Sequence, residues 1–251
     1  MNKKYFRAAV CALAFVCAAF FNGPFPPAVF GQKSAADDSR TRNRRAPKSN
    51  LIVAGVGAGG LRLGDSREKA IAYFGRLESE YDYNLDTKLK CPARKELRFW
   101  DAKDESNPFF EAYGDGAWVY LVNDGVEQIK IQSGKFRTPE GLTIGAAPAR
   151  VRRAYPNIRT FVELNSRCEC TGGRNLIFWV DRSRGIAFEF QYRRDEKARL
   201  LSNVFVFKPG AEFLPEGCVY LETQGWREIA PFSLEEPAGM QAEWERENKV
   251  N

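Results

Sequence analysis

Gly60-Leu61-Arg62-Leu63-Gly64 opens a helix-like run, and Gly141-Leu142-Thr143-Ile144-Gly145 opens another 81 positions later. Self-similarity of this kind marks a duplicated structural unit, so the pair constrains the fold more than any single motif does. In the first copy, Asp65 stands as N-cap with Glu68 three residues on, a capping-box arrangement. Ala70, Ile71, Phe74 and Leu77 then fall on one helical face. In the second copy, Pro148 takes the first turn, where its missing N–H is harmless, and Val151, Ala154, Tyr155 and Ile158 supply the apolar stripe. Gly75 and Pro156, at matching positions, end the two helices.

Strand signals follow each helix in the same order. Leu97 to Asp101 carries Phe99-Trp100, and Ile177 to Asp181 carries Phe178-Trp179. Ala117 to Val122 and Ile186 to Tyr192 come next, each after a glycine. In the latter, Ile186, Phe188, Phe190 and Tyr192 alternate with Ala187, Glu189 and Gln191, the period of a half-buried strand. Val126 to Gln132 and Asn203 to Phe207 close the two series, and Asn123-Asp124-Gly125 is a strong hairpin signal. The expected fold is α+β: two tandem repeats, over residues 51–138 and 139–224, each one helix packed on an antiparallel β-meander. Residues 225–251 read as a charged tail with a short helix over Met240 to Asn248.

The G-[LI]-x-[LIV]-G-x-S-x-x-x-[AV] helix opening, the meander, and the return through Thr138-Pro139-Glu140-Gly141-Leu142 resemble the tandem β-lactamase-inhibitor-protein-like superfamily. In single copy, the unit is similar to the small lipoprotein of the outer-membrane β-barrel assembly machine. The similarity spans roughly Gly60 to Gly210. It implies a non-catalytic protein that presents a sheet face or loops to a protein partner, and it transfers no inhibitory motif residue by residue.

The first 31 residues have the form of a signal peptide: Lys3, Lys4 and Arg7, then the uncharged run Ala8 to Phe21, then Asn22-Gly23-Pro24-Phe25-Pro26-Pro27. Cleavage is expected before Gln32, which places the protein in the periplasm or outside the cell. Of the formal +6, this leader carries +3 and the segment Gln32 to Asn50 carries +4, leaving −1 for residues 51–251. A nucleic-acid-binding domain carries its own basic face, and nothing in the body's net charge implies one. Gln32 to Asn50 is rich in Ser, Ala and Arg and poor in large apolar residues, so it reads as a disordered basic linker with capacity for electrostatic contact with an anionic surface. No second apolar run of membrane length follows, so no membrane insertion is expected after cleavage.

Catalytic and cofactor chemistry finds little support. Gly55-Val56-Gly57-Ala58-Gly59-Gly60 matches a dinucleotide fingerprint, but Leu61-Arg62-Leu63-Gly64 stands where the helix must begin, so a flexible lead-in is expected and no cofactor. The chain has no histidine, which removes triads and metal centres that need imidazole. Asp101, Asp104, Glu105, Asp115 and Asp124 sit in turn-like settings. A hydrolase of envelope polymers working through such carboxylates is the alternative to a binding protein. The aromatics carry more information. Val119 and Leu121 can serve the helix-packed core, which leaves Trp118 and Tyr120 on the other face as candidate partner-binding residues. The functional expectation is an exported, non-enzymatic binding or scaffold protein whose partner is another exported or envelope protein.

Four cysteines follow the leader: Cys91, Cys168, Cys170 and Cys218. An even number in an exported chain favours disulfides, and a Cys168–Cys170 bridge would close a very small ring. Metal ligation is not expected, because a lone C-x-C without histidine falls short of zinc spacing. Two disulfides are predicted, each stabilising such a domain by about 2–5 kcal/mol. Mass spectrometry without reductant reads this directly: two bridges are expected, and four free thiols in exported protein would refute it.

Overall fold

The computed structural model describes residues 49–83, 94–100, 116–164, 175–192, 198–215 and 225–248. The leader, nearly all of the basic linker, all four mature cysteines, and Asp101, Asp104, Glu105 and Asp115 lie outside the described residues. The protein is α+β and its sheets are antiparallel. A small meander comes first: β1 (Ile52–Val53), β2 (Gly57–Ala58) and β3 (Leu61–Arg62). Helix α1 (Arg67–Phe74) leads to β4 (Leu77–Asp82), β5 (Arg94–Trp100), β6 (Gly116–Val122) and β7 (Gly125–Ile131). Helix α2 (Pro148–Ala154) leads to β8 (Arg159–Glu163), β9 (Leu176–Asp181), β10 (Ile186–Tyr192) and β11 (Arg199–Phe207). β12 (Trp226–Ile229) and helix α3 (Met240–Asn248) end the described chain.

Among the described residues, nine strands form one sheet in the order β12-β8-β9-β10-β11-β7-β6-β5-β4. β7 and β11 pair with each other, Ile131 opposite Val204 and Ile129 opposite Val206, so the two runs of strands join edge to edge rather than face to face. The β6–β7 connection is the hairpin read from the sequence, with Asn123 and Asp124 at φ 50° and 60°, the signature of a type I′ turn. β4 and β8 were not legible as strands. β4 is a solvated edge with the sequence Leu-Glu-Ser-Glu-Tyr-Asp, which carries no two-residue alternation.

The main core lies on one face of this sheet. Leu97, Val119, Leu121, Ile129, Val204, Val206 and Phe188 meet Ala70 of α1, Val151 of α2 and Tyr155 just after it, and Ile52, Ala58 and Leu61 of the small meander. α1 is capped by Ser66, whose side chain accepts from Lys69 N, and not by Asp65. Asp65 instead accepts from Arg62 N at 2.7 Å and from Lys69 Nζ at 2.7 Å. The glycine-rich stretch is no flexible lead-in. It builds β2 and the turns beside it, and α1 begins only at Arg67. A side chain on Gly59 would collide with the Tyr73 ring of α1, so the glycines let the meander sit against the helix where a phosphate cradle would need open backbone.

Residues 226–234 are not a solvated tail. β12 extends the sheet beside β8, Phe232 packs edge-on against Trp179 at 5.3 Å, and the Trp179 indole donates to Ser233 O at 2.9 Å. The linker's last two residues are also held by the body: Tyr73 Oη donates to Ser49 O and Arg137 N donates to Asn50 O. Among the described residues, no helix is long and apolar enough to cross a membrane.

Gly185 shows how tightly the β9–β10 turn is held. Its φ is +68°, and a β-carbon there would lie 2.1 Å from Phe207 O. Gly210 has φ +77° with open space around it. Gly210→Ala is therefore expected to cost about 1–2 kcal/mol for conformation alone, and Gly185→Ala about 2 kcal/mol more for displacing backbone. Chemical denaturation of both variants checks the difference; equal costs would mean that the turn relaxes freely.

Candidate binding face

The face of β4–β7 turned away from the helices is built by strand parity. Val119 and Leu121 point into the main core, so Trp118 and Tyr120 point the other way. Pairing register then lays out a row across four strands: Arg98 on β5, Trp118 on β6, Lys130 on β7 and Phe205 on β11. Cation and aromatic alternate along it. Lys130 Nζ lies 4.5 Å from the Trp118 ring centre and 5.3 Å from that of Phe205, with Glu189 Oε2 at 3.7 Å. Two aromatic faces and a carboxylate thus surround this half-buried side chain, the partners an ammonium takes when it leaves water.

A second row runs through Tyr81, Glu96, Tyr120 and Gln128. Tyr120 is buried, with the buried Arg94 guanidinium 4.5 Å over its ring. Burial pulls the Arg94 group below its usual basicity, opposed by Tyr120 and by Glu127 at 3.6 Å. Tyr83 donates to Glu96 at 2.5 Å; burial first, and then the adjacent carboxylate, push its phenol far above the ordinary range, so it stays a donor. Burial works against the charge of Arg98, but the hydrogen bond it donates to Glu96 and the Coulombic attraction of Glu96, Tyr83 and Tyr120 together outweigh it and raise its basicity.

Where β10 and β11 meet this face, a buried carboxylate is held by neutral donors. Glu189 accepts from Asn203 at 2.7 Å, Ser202 at 3.0 Å and Gln191. Beyond that, the face becomes apolar and is covered: Phe213 packs on Phe178, Phe205 and Phe207. Gln128 ties the covering segment down by donating to Leu214 O at 2.7 Å. The β8–β11 half of the face is thus closed by the chain itself.

The partner-binding candidates separate on this geometry. Tyr120, expected at the surface, is 2 % exposed and serves as a platform for Arg94. Trp118 is half-buried, edge-on to Trp100 at 5.6 Å. Among the described residues, the open aromatics are two that the sequence did not single out for binding, Trp100 at 39 % and Tyr81 at 43 % exposure. Trp100 also lines an open cleft of about 160 Å³ with Tyr73, Phe74, Phe99 and Phe136, and Lys135 and Ser133 at its polar side. Asp124, the described member of the turn acids, sits exposed in the β6–β7 turn, 3.7 Å from Lys95 Nζ. Among the described residues, no cluster of His, Cys, Asp or Glu could hold a metal ion.

Tyr120→Ala is expected to cost about 3–5 kcal/mol, as for a large core aromatic, because it also strips Arg94 of its platform. Trp118→Ala is expected to cost about 1–2 kcal/mol, the scale of a half-buried ring with one cation and one edge-on partner. Urea denaturation of the two variants orders them; a Trp118 variant as destabilised as the Tyr120 variant would place Trp118 in the core.

No family model matches the chain, and no curated protein matches it. Solved structures similar to it include the uncharacterized protein yfeY from Escherichia coli, at 11% identity over 65% of this chain and 100% of that one, with TM-score 0.37. Another is a cysteine-rich secretory protein from Staphylococcus aureus, at 14% identity over 58% of this chain and 44% of that one, with TM-score 0.32. Both likenesses are too distant to bear on function.

Proposed function

We propose that this chain is an exported, non-enzymatic binding or scaffold protein of two tandem α+β repeats, and that it presents the open face of β4–β7 to another exported or envelope protein. The observation that carries this reading is the pairing of exposed Trp100 and Tyr81 with half-buried Trp118 and partly exposed Arg98 on one sheet face. Aromatic residues and arginine are the side chains enriched at protein interfaces and at their energetic centres. Support for the repeat comes from the 81-residue spacing of the helix openings and from the strand order, in which β7–β4 and β11–β8 run outward from a shared central pair. The signal-like leader supports export.

The test is recovery of partners from envelope extract on the immobilised full chain and on a Tyr81→Ser/Trp100→Ser variant. Both side chains are surface-exposed, so the variant is expected to keep the parent's thermal midpoint. It is expected to lose the partner, since truncation of such a residue typically costs about 2 kcal/mol or more in binding. Identical recovery by a folded variant would remove this face from the interface.

A further inference from the structure

The net charge of −1 over residues 51–251 hides an uneven distribution. The β9–β10 turn, the chain after β11 and helix α2 bring basic side chains together. Arg182 Nε donates to Gly210 O at 2.9 Å and to Ala211 O at 3.0 Å, which fixes this turn beside Lys208 and Pro209. Arg184 donates to Ala154 O at the end of α2 and pairs with Glu140 at 3.1 Å. Arg150 and Arg153 of α2 line an open cleft with that same Glu140. All five of these cations are exposed. Among the described residues, Arg184 alone of the five has a carboxylate partner; Arg150 and Arg182 bond only carbonyls, and Arg153 and Lys208 have no side-chain partner.

The β1–β2 turn lies directly on this basic ground. Gly55 N donates to Gly185 O at 3.1 Å, and a β-carbon on Gly55 would lie 2.5 Å from Pro209 Cγ. The turn that carries Val53 and Val56 is therefore seated, at Gly55, against Pro209 and the backbone of Arg184 and Gly185, next in sequence to Lys208 and the β9–β10 arginines. These valines are 36 % and 45 % exposed, two of the few large apolar side chains left open to water. Glu140 and the exposed Glu212 are the acidic side chains on this ground, against five cations, while others gather elsewhere, as on β4 with Glu78, Glu80 and Asp82. A surplus of unpaired cations around an exposed apolar turn matches the interface of an anionic bilayer, where headgroups take the charges and the acyl boundary takes the apolar tip. A soluble polyanion would use the cations and leave the valines in water.

We propose that the β1–β2 turn, the β9–β10 turn, Lys208 and the exposed side of α2 form a peripheral docking surface for an anionic lipid bilayer. It is separate from the aromatic face of β4–β7, so the protein holds an envelope surface and a protein partner through different residues. The surface binds by adsorption, with cations at the headgroups and Val53 and Val56 at their boundary.

Flotation of the leader-free chain, from Gln32 onward, with phosphatidylcholine vesicles, with and without phosphatidylglycerol, tests this. Binding is expected only with phosphatidylglycerol and is expected to weaken with salt. Arg153→Gln/Lys208→Gln is expected to lower the partition about 25-fold, about five-fold for each cation brought to an anionic surface. The segment Gln32 to Lys48 is the same in every variant, so the difference belongs to the folded surface. The charge-keeping Arg153→Lys/Lys208→Arg variant is expected to bind like the parent, which separates charge from damage to the fold. Val56→Ser is expected to lower vesicle binding several-fold while leaving binding to dextran sulfate unchanged. Parent-like vesicle binding by the double Gln variant overturns the proposal. So does vesicle binding that is indifferent to Val56→Ser, which would mark a site for soluble polyanions.

Discussion

The pairing of β7 with β11 is the constraint on which the rest of the molecule depends. It turns two runs of four strands into one continuous sheet and determines which side chains face each other across its middle. On the helix side it sets Ile129 against Val206 and Ile131 against Val204, all fully buried, so the core runs without a seam beneath both helices. On the other side it sets Lys130 against Phe205, and that single cross-strand pair begins the alternation of cation and aromatic that runs out to Arg98. A one-residue slip would exchange the two faces and bury a lysine among aliphatic side chains, so the hydrophobic pattern holds the register strongly.

The same junction explains why the second face divides into two characters. On the β8–β11 side the inward residues are Phe178, Phe205 and Phe207, and the chain after β11 returns to cover them with Phe213. On the β4–β7 side the equivalent positions hold Arg94, Glu96, Arg98 and Lys130 among Tyr and Trp. Charged groups among rings retain part of their solvation need, and such a surface is stable either half-open or against a partner with matching polar groups. Glu189 marks the boundary: its carboxylate takes three neutral donors from its own hairpin and leaves its other oxygen toward Lys130.

The glycine-rich stretch carries a general lesson about local motifs. Gly55 to Gly60 satisfies a phosphate-binding pattern letter by letter, but the spaces left by its missing side chains are already filled by Tyr73, Pro209 and the backbone of Arg184. The glycines serve close packing of a small meander onto α1 and the β9–β10 turn. One consequence is that the turn bearing the exposed Val53 and Val56 is held on the β9–β10 turn, an arrangement that follows from backbone approach and from no feature of either segment alone.

Much of the local structure was legible in the residues. The I′ turn at Asn123-Asp124-Gly125, the alternation over Ile186 to Tyr192, Pro148 at the start of α2 and the opposite facing of Trp118 and Tyr120 relative to Val119 and Leu121 all follow from φ preferences and two-residue periodicity, which act within a few residues. β4 and β12 were illegible because edge strands are specified by the neighbour they pair with and not by alternation of their own. Parity told which face Tyr120 is on, but its depth depends on Arg94, a residue 26 positions away brought over its ring by strand pairing. Net charge likewise summed to nearly zero over the body, whereas its separation into a basic patch beside exposed valines and an acidic edge strand arises only when distant turns are brought into contact. Sequence determined both helices that pack on the sheet, the central strands and their faces, because those are set by local sterics and period; the tertiary structure alone decided the edge strands, what is covered, what is open and which charges stand together, because pairing, burial and electrostatics depend on distances that the chain's order does not contain.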